Sequence, residues 1–224
     1  MQPNHGTGPG TITADGCAVD LYAMLPPSGE PEIIASMLPP GSAILELGAG
    51  AGRITHPLLD LGFSVIAVDD SPEMLAKIHG ARTVLSKIQR LELGEQFDGV
   101  LMMSRLINTD DPADAAVLLA ACRRHVADDG RVLIERHPVS WFDEAVETES
   151  SRPGMTVRLR DISRTARGSL SATVVHEVGD SIWTHAFTAR RVDDAELTRL
   201  LCHAGLRLER FLTDDGAWLS AIPA

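Results

Sequence analysis

The residues with the clearest chemical potential are three alternating glycines with a carboxylate on either side of them. Gly48, Gly50 and Gly52 form a glycine turn, Glu46 precedes it, and Asp69 ends the next apolar run. Glycine lets the backbone approach a ligand closely, and a helix that follows such a turn presents unpaired N–H groups. A carboxylate at a strand tip can accept hydrogen bonds from both hydroxyls of a ribose. The combination predicts a nucleoside ligand.

The residues around the turn narrow the kind of nucleoside. Arg53 stands where the dinucleotide-binding pattern G-x-G-x-x-G has its third glycine. A pyrophosphate would also be repelled by Glu46, two residues before the turn. A carboxylate there suits a cationic group better, such as the amino group or the sulfonium of S-adenosylmethionine. A nicotinamide-dependent oxidoreductase is the alternative that these residues leave open.

The turn must be positioned by a strand, a helix and a second strand. The apolar run Ala43–Leu47 leads into it, a helical pattern follows as far as Gly62, and a second apolar run at 65–68 ends at Asp69. This order is typical of a nucleotide-binding βαβ unit. Further strands are predicted at 83–87, 97–103 and 131–135.

Four segments in register carry a resemblance to a known family. Residues 46–52 (ELGAGAG) resemble the first motif of class I S-adenosylmethionine-dependent methyltransferases of the small-molecule type. Residues 68–75 (VDDSPEML), 96–100 (QFDGV) and 127–134 (ADDGRVLI) resemble the family's second strand with its helix start, the entry to its fourth strand and the turn into its fifth. The resemblance implies a Rossmann-like α/β fold. Its sheet would have seven mostly parallel strands with helices on both faces and an antiparallel insertion after the fifth strand.

The resemblance also implies the cofactor, S-adenosyl-L-methionine, with S-adenosyl-L-homocysteine as product and no metal. Many relatives carry an aspartate that meets the adenine amino group, but this chain has Lys87 and Ile88 near that position, so a backbone N–H near Ile88 is expected to serve. Carbonyls near Ser104 would hold the amino group of the methionine portion. The residues expected beside the cofactor are Glu46, Gly48, Ala49, Gly50, Gly52, Asp69, Asp70, Lys87, Ile88 and Ser104.

One histidine stands where the accepting substrate should lie. His137 follows the fifth strand, at the edge of the sheet that faces the ligand crevice, and is either a general base or a structural histidine bonded to the backbone. Other candidates for the substrate side are Tyr22, His56, Arg105, Asn108 and His185. Each has a structural alternative. These are anchoring the N-terminal segment for Tyr22, a backbone role for His56, an ion pair for Arg105, loop capping for Asn108 and packing beside neighbouring aromatic residues for His185.

The chain is predicted to be a single domain over residues 1–224. Apolar and polar residues alternate from 155 to 190, which predicts about three antiparallel strands that cover the cleft or form a dimer contact. The expected parts are a mobile N-terminus (1–14), a cap segment and helix (15–42), a cofactor-binding core (43–137), the antiparallel insertion (150–191) and a closing helix and hairpin (192–224).

Composition sets limits on partners and location. The formal net charge of −11 disfavours nucleic acid as a partner, since binding its backbone requires clustered cations. No apolar run has the roughly 18–20 residues of a membrane helix, and no signal segment opens the chain, so a cytoplasmic location is expected. A small-molecule acceptor is the expected partner, with a homodimer through the added strands as a further expectation.

The predicted reaction is methyl transfer to an oxygen or nitrogen of a small metabolite, of the kind found in natural-product biosynthesis. The nucleophile would attack in line with the methyl–sulfur bond at roughly 3–3.5 Å. A family member that binds the cofactor without transferring a methyl group is the second alternative.

Overall fold

A computed structural model describes residues 4–165 and 168–224. Its helices are α1 Val19–Tyr22, α2 Glu30–Met37, α3 Thr55–Asp60, α4 Pro72–Leu75, α5 Pro112–His125, α6 Trp141–Glu144 and α7 Asp194–His203. Its strands are β1 His5–Thr7, β2 Ala43–Leu47, β3 Ser64–Asp69, β4 Arg82–Leu85, β5 Phe97–Met102, β6 Val126–Glu135, β7 Thr148–Arg152, β8 Met155–Arg164, β9 Ser169–Val178, β10 Ser181–Arg190, β11 Leu206–Phe211 and β12 Trp218–Pro223. The chain thus forms a central mixed sheet and a separate antiparallel sheet.

The central sheet has seven strands in the order β11-β12-β6-β5-β2-β3-β4. The neighbouring pairs from β6 to β4 are all parallel, whereas β12 runs antiparallel to β6 and to β11. The predicted Rossmann-like fold with a seven-stranded, mostly parallel sheet is therefore confirmed. The strand order reverses between β2 and β5, and in such sheets ligands bind beyond the carboxyl ends of the strands at this point.

The side chains of β2 point alternately into two cores, one on each face of the sheet, and each core includes helices. Leu45 and Leu47 are buried in one core with residues of α5 and α7, and Ile44 is buried in a second core with residues of α2 and α3. Side chains in a strand point alternately to opposite faces. Glu46 shares the face of Ile44, so its carboxylate is carried into the interior, next to the glycine turn.

The second sheet has five antiparallel strands in the order β1-β10-β9-β8-β7. The three strands predicted from the alternation at 155–190 correspond to β8, β9 and β10, and β7, Thr148–Arg152, is an additional strand ahead of them. The fifth strand, β1, comes from the segment expected to be a mobile N-terminus, and residues 5–7 of that segment are paired in the sheet. The backbone of β1 pairs with β10, and the indole N–H of Trp183 donates to the Pro9 carbonyl at 2.9 Å.

The cap segment lies against the glycine turn. Val19 of α1 is buried in one cluster with Ala51 and Met74. Two ion pairs connect the same regions: Lys77 Nζ lies 3.0 Å from Asp20 Oδ1, and Arg53 Nη1 lies 2.5 Å from Glu30 Oε1. In the described part of the chain, no helix is both long and apolar enough to cross a membrane.

Candidate functional site

The glycine turn uses most of its own amide groups within the chain. The N–H groups of Gly48 and Ala49 both donate to the Val68 carbonyl at 2.9 Å, Gly52 N–H donates to Ala49 at 3.1 Å, and Gly50 N–H donates to Asp69 Oδ2 at 2.8 Å. A pyrophosphate would need such donors free. The turn is therefore poorly suited to a dinucleotide.

Gly50 is the position at which the backbone faces open space. Its φ of +56° lies in the left-handed region, and a Cβ added to it would meet no atom within 4 Å. At Gly52, by contrast, an added Cβ would lie 2.7 Å from His56 Cε1, so this glycine is needed for internal packing. The side chain of Ala49 is buried in a small cluster with residues of β3 and α4. Of these three residues, Gly50 offers the closest approach to a ligand.

Asp69 holds the turn with both carboxylate oxygens. Oδ2 accepts the Gly50 N–H at 2.8 Å, and Oδ1 accepts the Ser71 N–H at 2.9 Å. Burial raises the pKa of Asp69, while these two hydrogen bonds act in the opposite direction. The side chain is half-buried, and each oxygen retains a further lone pair for a ligand hydroxyl. Asp70, directly after it, is exposed at the same strand end.

Glu46 is buried at the end of β2, with 2% of its surface exposed. The Thr55 hydroxyl donates to Glu46 Oε2 at 2.6 Å. Burial raises the pKa of Glu46 to about 7, with Asp69 adding to the shift, while Thr55 and the charge of Arg53 oppose it. A buried carboxylate with so high a pKa is ionised more readily when a cation lies beside it.

Lys87 and Ile88 follow β4, whose carboxyl end lies beside that of β3. The Ser86 N–H donates to the Asp69 carbonyl at 3.0 Å, which joins the two strand ends. Lys87 is exposed, and Ile88 begins a short 3₁₀ helix, Ile88–Arg90, with its side chain partly packed on the core. These residues could flank one side of a ligand that lies over Asp69.

The carboxyl end of β5 carries an unusual turn. Ser104 and Arg105 have φ values of 53° and 60°, and together with Asp161 they are the only non-glycine residues with positive φ in the described ranges. The Ser104 N–H donates to Glu135 Oε2 at 2.8 Å, and Arg105 Nη2 lies 3.0 Å from Glu135 Oε1. Glu135 is the last residue of β6 and is 6% exposed. Two neighbouring strand ends are thus joined through one carboxylate.

His137 lies in an aromatic environment. Its ring stacks on Trp141 with centroids 4.0 Å apart and 10° between the planes, and Phe187 of β10 lies parallel to it at 6.2 Å. Burial lowers the pKa of His137 to about 3, and the charge of Arg105 contributes to the shift. The imidazole is therefore neutral at physiological pH, but it binds a proton too weakly for an efficient general base.

Asn108 is fully engaged in holding the chain together. It is buried, its Nδ2 donates to the Arg190 carbonyl at 2.9 Å, and its Oδ1 accepts the His137 N–H at 2.8 Å. The amide thereby ties the end of β6 to β10 of the second sheet. This geometry favours the loop-capping alternative over direct contact with a substrate.

Tyr22 and His185 border one small cavity of about 80 Å³ between the cap segment and the second sheet, together with His176 and Trp183. Burial raises the pKa of Tyr22, and the nearby Cys17 thiol adds to the shift. The pKa of Cys17 is itself raised to about 12, chiefly by burial, so the thiol is not a nucleophile at neutral pH. His185 Nε2 lies 3.2 Å from the Asp15 carbonyl oxygen.

His56 is the substrate-side candidate that lies apart from the others. It packs against Gly52, and its Nε2 accepts the His79 N–H at 3.1 Å, which matches the backbone role considered for it. Arg105, Asn108 and His137 do come together at the ends of β5 and β6. Phe187 connects this group to His185, at 6.1 Å between ring centroids.

Several residues of this region escape prediction from the sequence. Glu135, Trp141 and Phe187 each contact Arg105 or His137. Only Glu135 carried a usable signal, as a carboxylate at the end of a predicted strand. Among the described residues, no group of His, Cys, Asp and Glu has the geometry to hold a metal ion.

Comparison with known proteins places these features in a family. The sequence profile of a family described as "Methyltransferase domain" matches residues 45–134. An uncharacterized methyltransferase of Mycobacterium bovis is 31% identical over 193 residues, which span 84% of this chain and 76% of the relative. The matched family segment contains the glycine turn, Asp69 and the Ser104–Arg105 turn.

Solved structures show the same fold. A S-adenosylmethionine-dependent methyltransferase from Clostridium acetobutylicum superimposes with a TM-score of 0.74 at 15% identity, covering 91% of this chain and 95% of the other. The sugar N-methyltransferase KedS8 from a Streptoalloteichus species gives a TM-score of 0.70 at 17% identity, covering 97% and 98%. The motifs, the strand order and the relatives agree, and the chain belongs to the class I S-adenosylmethionine-dependent methyltransferases.

Proposed function

We propose that this protein transfers a methyl group from S-adenosylmethionine to an amine of a small metabolite. The observation that carries the choice of an amine is the environment of His137, whose lowered pKa makes it a poor proton acceptor. A neutral amine attacks through its own lone pair and can lose its proton to water afterwards. A hydroxyl nucleophile would need a base during the attack.

The residues at the strand ends fit the cofactor. Gly50 presents backbone with open space beside it, the free lone pairs of Asp69 and the exposed carboxylate of Asp70 suit ribose hydroxyls, and buried Glu46 suits a nearby amino group. When bound, S-adenosylmethionine supplies a methyl group that is already activated by its sulfonium. The task that remains for this chain is to align the acceptor and exclude water.

The acceptor is proposed to lie between the central sheet and the second sheet. His137, Trp141 and Phe187 offer near-parallel rings there, and the cavity beside Tyr22 and His185 adjoins the cap segment. Aromatic faces bind apolar ring faces and, through cation–π attraction, the alkylammonium product. The position of the aromatic rings therefore suits a cyclic amine as the acceptor. The likeness in fold to the sugar N-methyltransferase KedS8 agrees with an acceptor of this class.

The test is a panel of amino sugars and their hydroxyl counterparts, with formation of S-adenosylhomocysteine followed by chromatography. Turnover of amines, retained within about tenfold in His137→Gln, would support the proposal. Turnover of hydroxyl acceptors that is abolished by His137→Gln would refute the choice of an amine. Cofactor binding without turnover of any acceptor would favour the non-methylating alternative.

A further inference from the structure

We propose that Glu135 is a positioning residue for the methyl transfer, because it holds the Ser104–Arg105 turn and cancels the charge of Arg105 at the cofactor crevice. The inference rests on the proposed function only for the place of the cofactor. Glu135 is expected to act through its neighbours and to touch neither the cofactor nor the acceptor.

The contacts show that both oxygens of the carboxylate are committed. Oε2 accepts the Ser104 N–H at 2.8 Å, and Oε1 lies 3.0 Å from Arg105 Nη2. The side chain of Glu135 is 8% exposed and that of Arg105 is 48% exposed, so the carboxylate reaches the turn from the protein interior. Charge-assisted hydrogen bonds of this kind are stronger than neutral ones.

The turn needs such support. Two consecutive non-glycine residues in the left-handed region are disfavoured by contacts of their own side chains, and strained backbone persists only where its surroundings determine it. The turn directly follows β5, next to the switch point of the sheet, where carbonyl groups can face the cofactor. The Met103 and Arg105 carbonyls accept the N–H groups of Leu106 and Asn108, at 3.2 and 2.9 Å. By fixing the Ser104 N–H, the carboxylate also helps to fix the direction of the Ser104 carbonyl between them.

The charge of Arg105 has a second consequence. S-adenosylmethionine carries one positive charge more than S-adenosylhomocysteine, at the sulfonium. An uncompensated guanidinium in the same crevice would therefore disfavour the substrate form relative to the product form. Glu135 neutralises this guanidinium and so maintains the affinity for S-adenosylmethionine relative to that for S-adenosylhomocysteine.

The experiment measures the Kd of each cofactor form by calorimetry without any acceptor. Glu135→Gln should weaken binding of both forms and lower the preference for S-adenosylmethionine over S-adenosylhomocysteine about fivefold, as expected for one uncompensated charge at about 4 Å with the screening of bulk water. Adding Arg105→Gln to this variant should restore the preference while both Kd values stay raised, because the turn is still unsupported.

The matched control is Glu209→Gln. Glu209 lies on β11, and its Oε2 and Oε1 accept hydrogen bonds from Nε and Nη2 of Arg131, a residue of β6 like Glu135, at 3.1 and 3.2 Å. This variant should leave both Kd values unchanged. If Glu135→Gln fails to fold, Arg105→Gln alone serves as the second test. It should shift the preference the other way, toward S-adenosylmethionine.

Two results would overturn the inference. One is a Glu135→Gln variant with wild-type Kd values. The other is a folded variant in which both Kd values rise by the same factor, because a merely structural role predicts that outcome. Wild-type protein that binds neither cofactor form would refute the proposed function itself, which keeps the two failures distinguishable.

Discussion

Replacing Glu46 by glutamine should abolish a pH dependence of cofactor binding. The wild-type carboxyl is buried and has a pKa raised to about 7, so only a small fraction is ionised in mildly acidic solution. If the cofactor's amino group binds the ionised form, affinity should rise with pH until the carboxyl is fully ionised. From pH 5.5 to pH 7 the ionised fraction grows roughly fifteenfold, and Kd should fall by the same factor.

This pH window is chosen so that the cofactor's own amino group stays protonated, since α-amino groups titrate near about 7.7–8.0. Calorimetry at a series of pH values gives Kd, and repeating it in buffers of different ionisation enthalpy gives the protons released on binding. Wild-type protein should release up to one proton at pH 6, whereas Glu46→Gln should show a flat Kd and weaker binding at pH 7. Glu209→Gln, which removes a partly exposed carboxylate of lowered pKa, should behave like wild type.

The same carboxyl affects stability with a definite sign. Because its folded pKa exceeds the ordinary glutamate value of 4.5, the folded state holds more protons than the unfolded state between about pH 4.5 and 7. Stability should therefore fall as pH rises through this range, by about 3 kcal/mol in all. Glu46→Gln should lack this decline in urea unfolding. Two results together would refute the role given to Glu46. They are a wild-type Kd that does not change with pH, and a Glu46→Gln variant whose free energy of unfolding depends on pH as in wild type.

Three further perturbations test other parts of the site. Gly50→Ala and Gly94→Ala both place a Cβ in open space at positive φ. Each should therefore lower the free energy of unfolding by about 1 kcal/mol. Only Gly50→Ala should weaken cofactor binding in calorimetry. Trp141→Ala should expose the His137 ring and raise its pKa from about 3 toward 6.5, as followed by NMR titration. Asn108→Ala removes two buried hydrogen bonds and should cost about 2–4 kcal/mol in urea unfolding. Equal binding by both glycine variants, an unchanged His137 titration, or an Asn108 variant of wild-type stability would each contradict the corresponding reasoning.

The parts of the fold that depend on local patterns could be predicted. The glycine turn and Asp69 lie within one βαβ unit, where strand period, turn residues and the following helix are all close in sequence. The observed β2, Ala43–Leu47, coincides with the predicted strand, and the predicted closing helix is present as α7, capped by Asp193, which accepts the Glu196 N–H. In these segments the same residues determine both the local conformation and the burial.

Contacts between distant segments could not be predicted in the same way. β1 pairs with β10 across more than 170 residues, and nothing in residues 5–7 distinguishes an added edge strand from a polar terminus. Glu135 meets Ser104 because β5 and β6 are neighbours in the sheet. The turn that directs the Ser104 N–H toward Glu135 has positive φ at Ser104 and Arg105, and it contains no glycine that would reveal this conformation in the sequence. Register between strands decides such contacts, and composition carries little information about register.

His137 shows why residue type is a weak guide to catalytic role. A histidine at the end of a central strand satisfies the positional requirement for a general base, yet its proton affinity depends on neighbours that come from α6 and β10. Burial of the ring and the nearby charge of Arg105 both disfavour the imidazolium, so the ring is better suited to line the site than to take a proton. Methyl transfer from a sulfonium to an amine can proceed without a general base, because the leaving group is already activated and the amine carries its own lone pair. The environment of this side chain thus supports the proposed amine acceptor over a hydroxyl acceptor, a choice that the sequence leaves open.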